Sequence, residues 1–219
     1  MDETAGRLLP LIVASAAVGL IPFAVITMTA FLKIAIVLFL LRNALGTQQV
    51  PPSLVLYAIA LVLAAYVSAP LLAEIHGRLT APEVNLATME GLRAAADSVA
   101  APLRAHLARF ASPGERDFLL SAAQRIWPED FFRAASTDDL LIMIPAFVIS
   151  ELTRAFETGF LLYLPFIAVD LIVSNILMAM GMVMVSPLVI STPFKIFLFV
   201  LIEGWTRLLH GLVLSYGGS

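Results

Sequence analysis

The chain has 219 residues, 60% of them apolar and 13% charged, with a formal net charge of −3 and no cysteine. Soluble domains are about 45–50% apolar and about 25% charged, so this is the composition of an integral membrane protein. The acidic balance and the lack of any Lys/Arg block exclude a nucleic-acid surface, and the lack of Cys removes disulfides, thiolate nucleophiles and Cys-ligated metals together.

Residues 8–13 followed by Ala14-Ser15-Ala16 imitate a signal peptide. Asp2 and Glu3 outweigh Arg7, however, and the apolar run is shorter than the usual ~7–15 residues, so the N-terminus reads as mature. Residues 8–41 are mostly apolar, and at about 1.5 Å per residue they would reach roughly 50 Å as one straight helix, against a hydrocarbon core of about 30 Å. Pro22 therefore predicts a division, with a helix over residues 23–41. Lys33 is the one charge in this run, and facing lipid it would cost about 2.5–3.5 kcal/mol. It is expected to face protein or water, or to snorkel toward the interface that Arg42 marks. Residues 42–53 form a polar loop ending in Pro51-Pro52. Residues 54–73 are uncharged and long enough for a second span, with Tyr57 and Tyr66 as interfacial anchors and Glu74 as its end. Residues 1–73 thus form an N-terminal hydrophobic region.

Residues 74–139 hold 17 of the 29 Asp, Glu, Lys and Arg residues and form the water-facing middle region. Leu86, Met89, Leu92, Ala96, Val99, Leu103, Leu107 and Phe110 follow helical spacing, with a kink expected at Pro102. Ser112-Pro113-Gly114-Glu115 reads as a capping box that starts a second helix, which Trp127-Pro128 stops. Ser136-Thr137-Asp138-Asp139 repeats the start signal and opens the C-terminal hydrophobic region, 140–219. No strand alternation competes, so the fold class is all-α: long kinked helices forming hairpins around a polar helical middle.

In that last region the apolar runs are 140–150, 159–185 and 193–216, with 151–157 read as a charged turn and kinks expected at Pro145 and Pro165. Met178, Met180, Met182 and Met184 recur every second residue. On a helix a step of two turns the side chain by about 200°, so the four cannot share one face, whereas an extended or loop backbone would put them on one side as a ring or ledge. Gly181 and Pro187 favour such a break from helix. Simple core filling by flexible side chains is the plainer account of these methionines, and Cu(I) ligation is disfavoured with His76, His106 and His210 all distant in sequence. Asp170, Lys195 and Glu203 are ionisable groups in or beside apolar runs, which in a membrane protein mark functional or intersubunit positions, the plainer account of Lys195 and Glu203 being that they sit at membrane interfaces. Lys195 is expected to pair with Glu203, Glu151 or Asp170 of a neighbouring chain.

No motif of a metalloprotease, serine hydrolase or nucleotide-binding loop occurs, so the residues argue against an enzyme and imply no cofactor. They leave a transporter, a channel subunit or a secretion component open. Three stretches carry a more specific signal: TMTAFLKIAIVLFLLRNALGTQQVPPSLVL (27–56), LIMIPAFVISELTRAFETGFLLYLPFIAVDLIVSNILMAMGMVMVSP (141–187) and PFKIFLFVLIEGW (193–205). Together they resemble the FliP/SctR family of type III secretion export-gate proteins, and the poor signal peptide favours the virulence branch, the SctR type. The resemblance implies five copies assembled in a helical ring with one SctT-like and four SctS-like subunits. SctU-like and SctV-like components, secreted unfolded proteins and the membrane complete the partners. It also implies a bacterial inner-membrane complex raised toward the periplasm, with residues 74–139 on that side, and a pore closed by a methionine-rich loop. That loop falls on Met178, Met180, Met182, Val183 and Met184, where Val183 interrupts the commoner run of three methionines and predicts a smaller, less pliable plug. Lys33, Glu151, Asp170, Lys195 and Glu203 become candidate intersubunit charges. A small-solute transporter is the competing class, but the inverted repeat expected of one is not found.

Overall fold

The computed structural model describes residues 2–47, 49–81, 88–133, 135–182 and 184–217. Every regular element among them is a helix: α1 Asp2–Met28, α2 Phe31–Ala44, α3 Ser53–Val67, α4 Ala69–Leu79, α5 Met89–Phe110, α6 Pro113–Ile126, α7 Glu129–Phe132, α8 Leu140–Ala179, α9 Pro187–Leu201 and α10 Gly204–Leu214. Helix α8 is long and apolar enough to cross a membrane. The pairs α1–α2, α3–α4 and α9–α10 qualify only when each broken pair counts as one span.

Several breaks differ from those expected. Helix α1 runs through Pro22 and ends at Met28, where one hydroxyl serves two helices: Thr29 Oγ1 donates to the Val25 carbonyl at 2.5 Å and accepts from the Phe31 N–H at 3.3 Å, closing α1 and starting α2. The span expected over 54–73 is divided at Ser68. Pro70 lies in the first turn of α4, the one place in a helix where its missing N–H costs no bond, so Glu74 is interior to α4 and pairs with Arg78 at 2.8 Å. The charged turn expected at 151–157 is helix, because Glu, Leu, Arg and Ala propagate helix well and no Gly or Pro interrupts them. Pro193 does not begin a segment either: α9 starts at Pro187 and carries Pro193 inside it. Helices α9 and α10 meet at 63° across Ile202 and Glu203.

Grouped by contact, the chain forms two units, 1–32 with 68–151 and 33–67 with 152–219. In the first, α5 packs against α1 and α4. Its core is Leu107, Ala111, Met143, Ala146 and Phe147, with Met28, Leu103 and Leu119 around it. Thr88 caps α5 by accepting from the Gly91 N–H at 3.1 Å, while Leu86 lies outside the described residues. Ser112 precedes α6 as expected, but its side chain makes no capping bond. Its own N–H instead donates at 2.8 Å to Ser150 Oγ, which in turn donates to the Ala146 carbonyl at 2.7 Å. Helix α8 thus supplies the acceptor that Glu115 would supply in a capping box. Asp139 Oδ2 accepts from the Ser136 N–H at 2.7 Å and opens α8 where the start signal predicts.

His106 on α5 sits in the first unit against Phe110 and Phe147, with ring centroids 5.2 and 6.2 Å away, and its buried Nε2 has no hydrogen-bond partner. Burial holds its pKa below the ordinary 6.5, with Arg109 adding to the effect, while Glu151 and the Met28 carbonyl oppose it. A depressed folded pKa means that near and below pH 6.5 the unfolded chain binds more protons than the folded one. The stability from a neutral His106 is therefore present above that pH and lost as pH falls toward the folded value. His106→Leu is expected to flatten this acid-side loss in thermal melts of the purified chain across that window. An unchanged slope would assign the acid sensitivity to another group.

In the second unit α2 and α3 form a hairpin. Arg42 Nη1 donates to Ser53 Oγ at 3.0 Å and to the Pro51 carbonyl at 3.4 Å, and its guanidinium lies over the Phe39 ring, 4.9 Å from the centroid. Phe166 packs tilted against Phe199, and Phe199 edge-to-face against Trp205, at 6.3 and 5.4 Å between centroids, joining α8, α9 and α10.

Candidate functional site

The methionine stretch is the connection between α8 and α9. Gly181 adopts φ +72°, the left-handed region that glycine enters without penalty, and two bonds close the end of α8 around it. The Met182 N–H donates to the Leu177 carbonyl at 2.9 Å and the Gly181 N–H to the Met178 carbonyl at 3.0 Å, the reciprocal pair of a Schellman motif. The Val185 N–H then donates to the Met182 carbonyl at 3.3 Å, Ser186 is extended, and Pro187 opens α9. Of the extended or loop backbone that the spacing allows, the described residues adopt the loop. Met178 lies in the last turn of α8, Met180 at its end, Met182 beyond Gly181 and Met184 in the following turn. Gly181 and Pro187 do break the helix, but the glycine reverses the chain within a turn instead of straightening it. Val183 lies outside the described residues.

All four methionines are exposed, Met184 to 98%. Met180 and Met182 line an apolar trough of about 490 Å³ with Ile172, Ile176, Ile190 and Phe194.

Close behind the connection is a polar cluster in an apolar setting. Lys195 on α9 is 2% exposed, and its Nζ lies 2.6 Å from Asp170 Oδ2 on α8 and donates to the Ala44 carbonyl at 3.1 Å. The buried hydroxyl of Ser191, one turn earlier on α9, donates to Asp170 Oδ1 at 2.6 Å. Both carboxylate oxygens are thus engaged, and the ammonium meets the negative end of α2 as well. The two helices that carry the methionine connection are tied to each other and to α2.

Sequence reasoning expected Lys195 to reach a carboxylate of a neighbouring chain. The pair instead closes within one chain, because the α8–α9 reversal returns Lys195 alongside Asp170. Glu203 stands apart, exposed in the bend between α9 and α10 with φ 54°, a left-handed value unusual for a residue with a Cβ. Lys33, the third residue of α2, is buried, and its Nζ lies 4.0 Å from the Tyr216 ring centroid, a cation–π contact in place of snorkelling. Glu151 is fully buried in the first unit, where its charge acts on His106. Ser191 and the Ala44 carbonyl were missed. Ser191 and Lys195 lie four apart, on one helix face, and a hydroxyl beside a buried cation was the available signal.

Residues 15–212 match the FliP family. The chain is 52% identical over 216 residues to "Probable translocation protein y4yL" of Sinorhizobium fredii, covering 99% of this chain and 97% of that one. It is 48% identical over 208 residues to "Yop proteins translocation protein R" of Yersinia pestis, covering 95% and 96%. It is 45% identical over 200 residues to "Harpin secretion protein HrcR" of Erwinia amylovora, covering 91% and 92%. With nearly the whole chain aligned at such identity, the protein belongs to the FliP family, on its SctR branch with the YscR and HrcR proteins.

Proposed function

We propose that this chain is a core subunit of a type III protein secretion export gate, a closable conduit for unfolded polypeptide in which it performs no chemistry. The family and the secretion and translocation names of its relatives support the role. The observation that carries the gate is the methionine connection, braced from behind by Asp170 and Lys195 while Met184 is offered almost entirely to surroundings outside its own chain. In a ring of five copies with SctS-like and SctT-like subunits, raised from the inner membrane toward the periplasm, Met178, Met180, Met182, Val183 and Met184 of several copies close the axis. Unbranched thioethers have no fixed shape, so they exclude water at rest and repack around any passing side chain. The exposed apolar faces of α1 and α8 pack against neighbours, and Glu203, standing on the surface, pairs across an interface. SctU-like and SctV-like components are further partners, and the driving energy comes from outside this subunit.

The test is co-expression with the SctS-like and SctT-like proteins of the same secretion system. A discrete multi-subunit assembly by native mass spectrometry, together with loss of secretion in cells lacking this chain, is the expected result. A lone monomer or dimer that catalyses solute uptake would refute the reading in favour of a transporter.

A further inference from the structure

In the first unit the end of α1 is held by a titratable side chain. None of the described side chains of α1 is buried, and residues 15–23 are exposed throughout. The helix rests on the unit by its last turns, where Met28 packs against the core of Leu107, Met143 and Phe147. A helix end leaves its last carbonyls without intrahelical donors. At α1 the Val25 carbonyl takes the Thr29 hydroxyl, and the Met28 carbonyl takes an N–H of His106 on α5. Since the buried His106 Nε2 has no partner, the donating nitrogen is Nδ1.

That arrangement suits the neutral ring alone. A proton on Nε2 would create a second N–H where no acceptor stands, beside the Phe110 and Phe147 rings. The charges around it do not remedy this. Arg109 on α5 opposes protonation, Glu151 on α8 favours it, and burial outweighs Glu151. Helix α1 carries no charged residue after Arg7. On α4 Glu74 and Arg78 pair with each other, and Arg78 reaches α5 only at the Ser98 carbonyl, about two turns from His106. On α6 Arg116 faces Asp138 at 3.6 Å. A protonated ring must therefore reach water, and its least-buried neighbour is α1: parting Met28 from α5 gives up little buried surface, whereas moving Phe147 or Leu107 opens the core.

We propose that His106 is a proton-operated latch on α1. Neutral, it holds the Met28 carbonyl and the helix end against α5; protonated, it turns out to water and lets that end go while α5, α6 and α8 stay packed. The latch is a property of this chain alone and does not depend on the secretion role. A released His106 is hydrated and titrates near the ordinary 6.5, whereas the latched ring takes its proton only at lower pH. The ratio of released to held helix therefore rises as pH falls through 6.5, by at most about tenfold per pH unit for one proton.

Because the chain has no cysteine, one nitroxide label can be placed at Ile26→Cys, exposed near the end of α1, in the full chain in mild detergent. Between about pH 8 and about pH 5, where histidine titrates, its spectrum is expected to gain a mobile component reversibly, while the same label at Phe118→Cys, exposed on α6, stays unchanged. His106→Asn keeps an N–H for the Met28 carbonyl but cannot titrate, and should hold the α1 label immobile throughout. An α1 label indifferent to pH, an undiminished acid response in His106→Asn, or an α6 label that loosens in step with it overturns the latch. Should His106→Asn fail to fold, the imidazole resonance of His106, the one histidine left in a His76→Gln, His210→Gln chain, decides. A shared midpoint for its titration and the release supports the latch, and separate midpoints overturn it.

Discussion

Asp170→Ala is expected to destabilise the chain more than Lys195→Ala, by a margin visible as a lower thermal midpoint of the purified protein. Removing one member of a buried ion pair costs roughly 3–5 kcal/mol, because the remaining charge stays desolvated. The two members are not equally buried: the Lys195 side chain is 3% exposed and that of Asp170 38%. Without Asp170 the ammonium keeps only the Ala44 carbonyl, in a place water does not reach. Without Lys195 the carboxylate keeps the Ser191 hydroxyl and can be hydrated on its open side. The Asp170→Ala loss should therefore approach the upper end of that range and the Lys195→Ala loss fall below it. Combining Asp170→Asn with Lys195→Met, which removes both charges while keeping the shapes, should recover much of the stability. Equal midpoints for the two Ala variants would mean that Asp170 is as desolvated as Lys195, and the asymmetry argument would fail. Since the pair ties α8 to α9 inside one chain, the loss should register in the isolated subunit before assembly is considered.

The elements most legible in the sequence were those closed by side-chain or backbone chemistry with few alternatives. Trp127-Pro128 stops α6 because Pro cannot continue it, Asp139 opens α8, and Gly181 ends α8 in a conformation other residues resist. The breaks in uniformly apolar stretches were not legible. In such stretches helix propensity is high on both sides of the break, and its position depends on which hydroxyl or proline meets which turn: Thr29 did more than Pro22, and Pro70 opened a helix inside an uncharged run that looked like one span. Charge misled at 151–157, where it pointed to a turn although the segment is helix and one of its carboxylates, Glu151, is fully buried. At the candidate site the alternation of Met178, Met180, Met182 and Met184 was visible in the sequence, but its backbone geometry was not. The alternation allowed an extended chain or a loop, and the Schellman reversal at Gly181 selects the loop. That reversal also explains why Asp170 and Lys195 meet within one chain, a pairing no sequence separation announces.

Met184→Ala and Met182→Ala should part company in the lone chain and act together in the assembly. Met184 is almost wholly exposed, so its loss should leave the midpoint of the isolated subunit unchanged, whereas Met182 lines the trough with Ile176 and Phe194 and its loss should lower that midpoint modestly. In the assembled complex the double variant is expected to conduct ions across a planar bilayer where the parent does not. Truncation to Ala removes the γ, δ and ε atoms that would fill the axis of the proposed ring, and each copy would repeat the loss, so the gap would grow with the number of contributing subunits. Replacement of both by Leu, similar in volume but branched and stiffer, should keep the seal and slow export, since a plug of fixed shape repacks less readily around cargo. The lone-chain melt guards the interpretation: leakage with an intact subunit and normal complex mass is the mark of a gate, while leakage that accompanies a broken assembly is not. Should the double Ala variant assemble normally and conduct no more than the parent, Met182 and Met184 are packing residues and the closure lies elsewhere.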